Sequence, residues 1–311
     1  MNVLVTGASG FIGRNVLLRA PRGWNITALY HSTGLEAFVR EQGLTNVRPV
    51  RCDLTSQAAV AEFARDHSLF DACLYLAANG DPAKSAARPA WDLTLNTLGL
   101  VTLLEHVRVG HFVYVSSGAV YDGLNGAVSP ATPVAPLLPY AISKLASEHY
   151  LRAFAGRTKT VGSCVNVRFF GAYGPYEPDR KITTKWMRAV MGGQREFTLR
   201  GNGQNLIDFM YVDDAVDGFL ALAKAAGFSG TVDFASGAPV TVNEVVTTMA
   251  RVLGVDVAIK HDGHTEEYIQ FHSVDHTMSE RFGVRPSIGF EDGVKRLHMF
   301  LTHGRPAVSG R

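Results

Sequence analysis

Val3-Leu4-Val5-Thr6-Gly7-Ala8-Ser9-Gly10-Phe11-Ile12-Gly13 is the stretch whose reading decides the fold. Asn2 to Val5 is a short apolar run with two valines, the pattern of a strand buried on both faces of a parallel sheet. Thr6 to Gly13 is a turn with glycines three residues apart, and from Arg14 to Arg19 the pattern turns helical. Strand, glycine turn and helix together place a pyrophosphate on a helix N-terminus. Gly7 allows the tight turn, Gly10 the approach of backbone to phosphate, and Gly13 close packing of helix on strand. Ser9, Phe11 and Ile12 would supply backbone contacts beside them. An ordinary glycine turn reads the same in isolation; the flanking strand and helix make this one a dinucleotide site.

Outward from this turn, further strands end in residues suited to the same ligand. Asn25 to Tyr30 reads as a second strand. Its end, Ala28-Leu29-Tyr30-His31-Ser32, has no Asp or Glu where a ribose 2′-hydroxyl is usually held, so nothing there repels a 2′-phosphate. His31 and Ser32 can donate to one, which favours NADP over NAD; Tyr30 merely stacking near adenine would discriminate neither. Val47 to Cys52 ends at Asp53-Leu54, where Asp53 can accept from the adenine amino group or cap the helix Ala58–Asp66. Ala72 to Ala77 runs into Ala77-Ala78-Asn79-Gly80, small residues suited to close approach of a ligand. Asp81 to Pro89 reads as a loop whose Lys84 reaches a substrate or only solvent. Trp91 to Arg108 reads as one long helix with Asn96 as a polar residue in its apolar stripe, tied to a neighbouring main chain.

His111 to Ser117 is the fifth strand and delivers Ser116-Ser117-Gly118-Ala119-Val120-Tyr121. A Gly- and Pro-rich loop, Asp122 to Pro139, follows as a wall for a substrate pocket. Tyr140-Ala141-Ile142-Ser143-Lys144 then opens a helix to about Phe154. Tyr140 and Lys144, four apart, share one helical face. An ammonium beside a phenol favours phenolate, so Tyr140 becomes a general base near neutral pH. By itself such a pair is an ordinary surface feature; the strand-end serine and the nucleotide turn upstream give it chemical meaning.

Bulk properties bound the rest. The 311 residues, 46% hydrophobic, can bury a large core. Thirty basic and 28 acidic residues leave a net charge of +2, which argues for neither nucleic acid nor an anionic membrane as partner. Cys52, Cys73 and Cys164 are far apart and odd in number, indicating no disulfide framework and no metal site. The absence of a leader-like or membrane-length apolar run leads to the expectation of a cytoplasmic protein.

These motifs in this order resemble the extended short-chain dehydrogenase/reductase family. More narrowly, they resemble its NAD-dependent epimerase/dehydratase branch acting on nucleotide sugars. The resemblance rests on the glycine turn, Asp53-Leu54, Leu76-Ala77-Ala78, Asn96-x-x-Gly99, Ser116-Ser117 and Tyr140-x-x-x-Lys144. It continues through Arg168-Phe169-Phe170-Gly171-Ala172-Tyr173-Gly174-Pro175, Gly201-Asn202-Gly203 and Asp208 to Asp214. It implies a doubly wound Rossmann parallel sheet with a smaller α/β substrate domain. The division expected is 1–167, rejoined by 206–228, against 168–205 and 229–311. It also implies that Tyr140 exchanges the proton of a sugar hydroxyl, that Lys144 tunes it and holds the nicotinamide ribose, and that Ser117 bonds the reacting oxygen while Ser116 faces the cofactor. A homodimer through the Trp91–Arg108 and Tyr140–Phe154 helices is expected as well.

The departures are as informative. Dehydratases of the branch carry Asp-Glu after the catalytic Ser/Thr, where this chain has Gly118 and Ala119. Gly171 and Ile207 stand where relatives often have Asn and Arg, so Arg180, Lys181 and Arg200 are the candidate diphosphate contacts, with Phe170 lining the sugar. The reaction expected is hydride transfer at C4 of a nucleotide-linked hexose. The sequence leans to an NADPH-dependent 4-ketoreductase, with a 4-epimerase holding NAD as the alternative and a non-catalytic dinucleotide sensor as the remote one.

Overall fold

The computed structural model describes residues 1–158, 160–264 and 270–304. The first half of the chain alternates strand and helix. It runs β1 (Asn2–Thr6), α1 (Phe11–Arg19), β2 (Asn25–Tyr30), α2 (Glu36–Glu41), β3 (Val47–Arg51), α3 (Gln57–Asp66), β4 (Leu69–Tyr75), α4 (Pro82–Ala87), α5 (Pro89–Leu93), a π-helical turn (Thr94–Leu98) and α6 (Gly99–His106). Then come β5 (Arg108–Val115), a 3₁₀ turn (Gly118–Tyr121), β6 (Asn125–Val128), α7 (Pro139–Arg157) and β7 (Val161–Phe169). Beyond lie β8 (Ala172–Tyr173), α8 (Ile182–Met191), β9 (Glu196–Leu199), β10 (Leu206–Ile207), β11 (Met210–Tyr211), α9 (Val212–Ala223), β12 (Gly230–Phe234) and β13 (Val240–Thr241). The chain ends with α10 (Val242–Leu253), β14 (Ala258–His261), β15 (Gln270–Ser273), α11 (Thr277–Phe282) and α12 (Phe290–His303).

Seven strands form one parallel sheet in the order β12-β7-β5-β4-β1-β2-β3. Alternate residues feed two cores, as the two-residue period of a strand requires. Val3, Val5, Val113, Val165 and Val167 pack with Val16, Ala215 and Phe219 of α1 and α9. Leu4, Cys73, Tyr75, Phe112 and Tyr114 pack on the other face with Val60, Leu103 and Leu151 of α3, α6 and α7. Covered on both faces, these strands read as continuous apolar runs. The smaller unit is built around the parallel pair β9–β14 and a cluster of Val190, Phe197, Leu199 and Val246. Its helix α10 starts at a complete capping box: Thr241 Oγ1 accepts from Glu244 N at 3.1 Å, and Thr241 N donates to Glu244 Oε2 at 2.6 Å.

Several boundaries differ from the sequence expectation. Residues 230–234, assigned to the substrate side, are the seventh strand of the large sheet, paired with β7 from Gly230↔Val165 to Phe234↔Phe169. The expected loop 81–89 holds α4, started by Asp81, whose side chain accepts from Lys84 N. The expected loop 122–139 holds β6, which pairs in parallel with β15. The expected single helix 91–108 runs without a gap through α5, the π turn and α6 but ends at His106, because Arg108 N already donates to Ser68 O at the start of β5. The tail expected from Gly304 to Arg311 lies, past Gly304, outside the described residues. Among the described residues no helix is long and apolar enough to cross a membrane.

Candidate active site

The strand order reverses between β1 and β4, and the crevice at the carboxyl ends of such strands is where α/β sheets bind ligands. The glycine turn sits there. Gly7 takes φ +63°, and a Cβ on it would lie 2.8 Å from Ala77 N. A Cβ on Gly13 would lie 2.5 Å from Gly7 O. Gly10 caps α1 with no side-chain hydrogen bond, leaving the N–H groups of Phe11, Ile12 and Gly13 to meet an anion at the positive helix end. Ser9 O accepts from Arg14 Nε at 3.0 Å, and Thr6 Oγ1 accepts from Leu76 N and Ala77 N, both at 3.1 Å, fixing the β1 and β4 ends together. Ala78 is exposed beside them. This cradle, empty of side chains and lined with unclaimed N–H groups, fits a dinucleotide pyrophosphate.

The chemical group lies two strands away, between β5 and α7. Ser117 starts the 3₁₀ turn, its Oγ accepting from Ala119 N at 3.1 Å, and lies beside the Tyr140 phenol. Lys144, one turn along α7 and 4% exposed, donates to Val115 O at 2.8 Å with its Nζ 5.1 Å from the Tyr114 ring centroid. The structure thus brings Ser117, Tyr140 and Lys144 together. It does not show Lys144 drawing Tyr140 down. Burial dominates and holds the phenol above its ordinary range, Ser117 pulls the other way, and Asp92 adds to the rise. Burial likewise lowers Lys144 to about 8 against the opposing pull of Asp92 and Glu148.

Other expected contacts fall into place unevenly. Ser116 does not face the crevice: it is 3% exposed and donates to Glu148 Oε1 at 2.6 Å, inside the ion pair of Glu148 with Arg168. Asp53 is not a helix cap; Ser56 caps α3, while Asp53 Oδ1 accepts from Thr55 N and Thr55 Oγ1. Leu54 packs with Gly99 of α6. Asn96 accepts from Asn79 N at 2.7 Å, the main-chain tie expected of it. Arg180 faces Asp81 at 3.7 Å and Lys181 donates to Gly80 O at 3.4 Å, so both reach the loop after β4. Lys84 is exposed on α4. Arg200 follows β9 beside Asp262, outside that group. Phe170 packs against Tyr121 and Phe271, and its ring lies 3.1 Å from where a Gly118 Cβ would be. Gly171, at φ +146°, accepts from Met210 N through its carbonyl.

The premise behind the NADP preference does not hold. Glu36, in the first turn of α2, folds back so that Tyr30 donates its phenolic proton to Glu36 Oε1. His31 and Ser32 are exposed, and His31 Nε2 stands 3.7 Å from Asp53 Oδ2. Two carboxylates therefore flank the end of β2. The sequence reading missed Glu36 because it searched the strand end itself and not the helix that returns to it.

A Rossmann sheet with an anion-ready glycine turn and a Ser–Tyr–Lys group two strands along its carboxyl edge defines a dinucleotide-dependent oxidoreductase of the short-chain dehydrogenase type. Residues 3–232 match the model of the NAD dependent epimerase/dehydratase family, and the chain belongs to that family. The dTDP-glucose 4,6-dehydratase of Streptomyces niveus is 29% identical over 94% of this chain and 90% of its own. The UDP-glucose 4-epimerase of Mycolicibacterium smegmatis is 27% identical over 97% and 98%. Among solved structures, MoeE5 in complex with UDP-glucose and NAD is 26% identical, with a TM-score of 0.82 over 98% of this chain and 99% of that one. The UDP-glucose 4-epimerase of Thermotoga maritima, 24% identical, shares the fold at a TM-score of 0.86.

Proposed function

We propose that the protein is a nucleotide-sugar 4-epimerase that keeps NAD between turnovers. The observation that carries this reading is a chemical centre with one phenol and no flanking acid. Tyr140 stands beside Ser117, while the next two positions are Gly118 and Ala119. Elimination of water needs a second acid and base. A side chain at 118 would also have to displace the Phe170 ring. Epimerisation needs only one group that takes a hydroxyl proton and returns it. The 27% identical epimerase and the NAD-bound MoeE5 support the same choice.

In this mechanism Ser117 Oγ holds the C4 oxygen of the hexose against Tyr140 Oη. Ionised Tyr140 takes the C4 hydroxyl proton in one half-reaction and, as the phenol so formed, gives it back in the other. Lys144 keeps a positive charge one helical turn away. Bound NAD supplies the acceptor and donor of the C4 hydride. Gly7 to Gly13 hold its pyrophosphate, and Arg180 and Lys181, with Arg200 farther out, meet the sugar-nucleotide diphosphate. Leu137, Leu138, Ile142 and Tyr150 on and before α7, with Leu93 and Leu98, leave an exposed apolar face. We infer a homodimer through it, checked by sedimentation.

The test is incubation of the NAD-loaded protein with UDP-glucose or UDP-galactose and no added cofactor. Interconversion of the two supports the reading. Stoichiometric consumption of NADPH by a 4-keto nucleotide sugar, without interconversion, would replace it with the ketoreductase. The cofactor choice has its own test. A carboxylate beside a 2′-phosphate repels it, so Glu36→Gln is expected to improve NADP binding relative to NAD on the order of tenfold. An unchanged ratio of the two dissociation constants would remove Glu36 from cofactor selection.

A further inference from the structure

Asp92 is 0% exposed, and each hydrogen bond to its carboxylate comes from a neutral donor. Its Oδ1 accepts from Asn79 Nδ2 at 2.9 Å, Ser85 Oγ at 2.6 Å and Asn96 Nδ2 at 2.9 Å. Its Oδ2 accepts from Ser143 Oγ at 2.6 Å. These donors come from the loop after β4, from α4, from the π turn and from α7. Ser143 stands three residues after Tyr140 and directly before Lys144, and its Oγ also bonds Tyr140 O at 2.9 Å. A π-helical turn is rare and is found mostly at functional sites, and here it carries Asn96, which donates to both Asp92 and Ser143.

Burying a carboxylate costs several kcal/mol even when its lone pairs are filled. An asparagine amide could make the same connections: its oxygen accepting from Asn79, Ser85 and Asn96, its nitrogen donating to Ser143, which still donates to Tyr140 O. Hydrogen bonding alone therefore does not account for a charge here. The charge has two neighbours to act on, Tyr140 and Lys144.

Resting on the epimerase reading, we propose that Asp92 is a positioning residue of the reaction. Through Ser143 it fixes the first turn of α7 against the loop after β4, and its charge sets the protonation of the Tyr140–Lys144 pair. Other groups facing the pair are Ser117 at the end of β5 on Tyr140, and the Tyr114 ring and Glu148 on Lys144, Glu148 being paired with Arg168 of β7. Asp92 favours the protonated form of both members of the pair, opposing burial at Lys144 and adding to it at Tyr140.

The test is a pH titration of near-ultraviolet tyrosinate absorbance in the full, NAD-loaded chain, with Tyr140→Phe subtracted to isolate Tyr140. Asp92→Asn is expected to move the Tyr140 midpoint down by about one pH unit, the scale of a nearby charge. Ser143→Ala keeps the charge; it should leave the midpoint in place and lower kcat for UDP-glucose severalfold at constant KM. A folded Asp92→Asn protein with the wild-type midpoint overturns the proposal. Should Asp92→Asn fail to fold, an unchanged kcat in Ser143→Ala overturns it instead. If the wild type turns over no UDP-hexose, the epimerase reading fails, and the titration, which needs no substrate, still decides the role of Asp92.

Discussion

Tyr140→Phe should lower kcat about a thousandfold, within the span that a positioned general acid–base supplies, and leave NAD affinity unchanged. The phenyl ring keeps the packing of the first turn of α7 and loses only the oxygen beside Ser117. Isothermal titration with NAD beside steady-state turnover separates the two effects. A variant with near-normal turnover would remove Tyr140 from the proton transfer. Wild-type turnover should also fall as pH rises past about 8, where the buried Lys144 loses its charge. Lys144→Met should remove that limb along with most of the activity.

The second large effect concerns stability. Arg168 is 5% exposed and Glu148 not at all. Arg168 Nε and Nη2 meet the two Glu148 oxygens at 3.2 and 3.1 Å, and its Nη1 donates to Tyr121 Oη at 3.0 Å. Tyr121 in turn donates to Asp233 Oδ1 at 2.8 Å, so the ion pair joins β7, α7, the 3₁₀ turn and β12. Arg168→Leu leaves Glu148 charged and buried with the Ser116 hydroxyl as its hydrogen-bond donor, and should cost about 3–5 kcal/mol in urea unfolding. The double variant Arg168→Leu/Glu148→Met removes both charges and should recover most of that loss. No recovery would mean that the packing of the arginine stem, and not the stranded charge, sets the cost.

What the sequence displayed and what it hid follow from the range of each interaction. Gly7, Gly10 and Gly13 declare their conformation within one turn, and Tyr140 and Lys144 lie on one helix face by spacing alone. Ser117 follows from its place at a strand end. Glu36 was hidden because its partner, Tyr30, lies across a turn that the strand pattern does not describe. Ser116 and Ser117 are adjacent residues of one type, and only the buried Glu148–Arg168 pair decides which turns inward. Asp92 sits among apolar neighbours, and its four donors are spread over residues 79 to 143. The pairing of β6 with β15 joins segments more than a hundred residues apart, with too few residues in either to leave a periodic signal.

The late return of the chain to supply β12 has a bearing on synthesis. From β7 at Val161–Phe169, the chain departs through the smaller unit and α9 before Gly230–Phe234 arrives to pair with it. Until those residues leave the ribosome, β7 is an open sheet edge of mostly apolar composition, a template for pairing with another nascent chain. A message truncated before codon 230 would therefore yield a complete dinucleotide turn and catalytic trio on a sheet prone to aggregate. Soluble yield, followed as the 3′ end is extended past codon 234, should rise abruptly at that point.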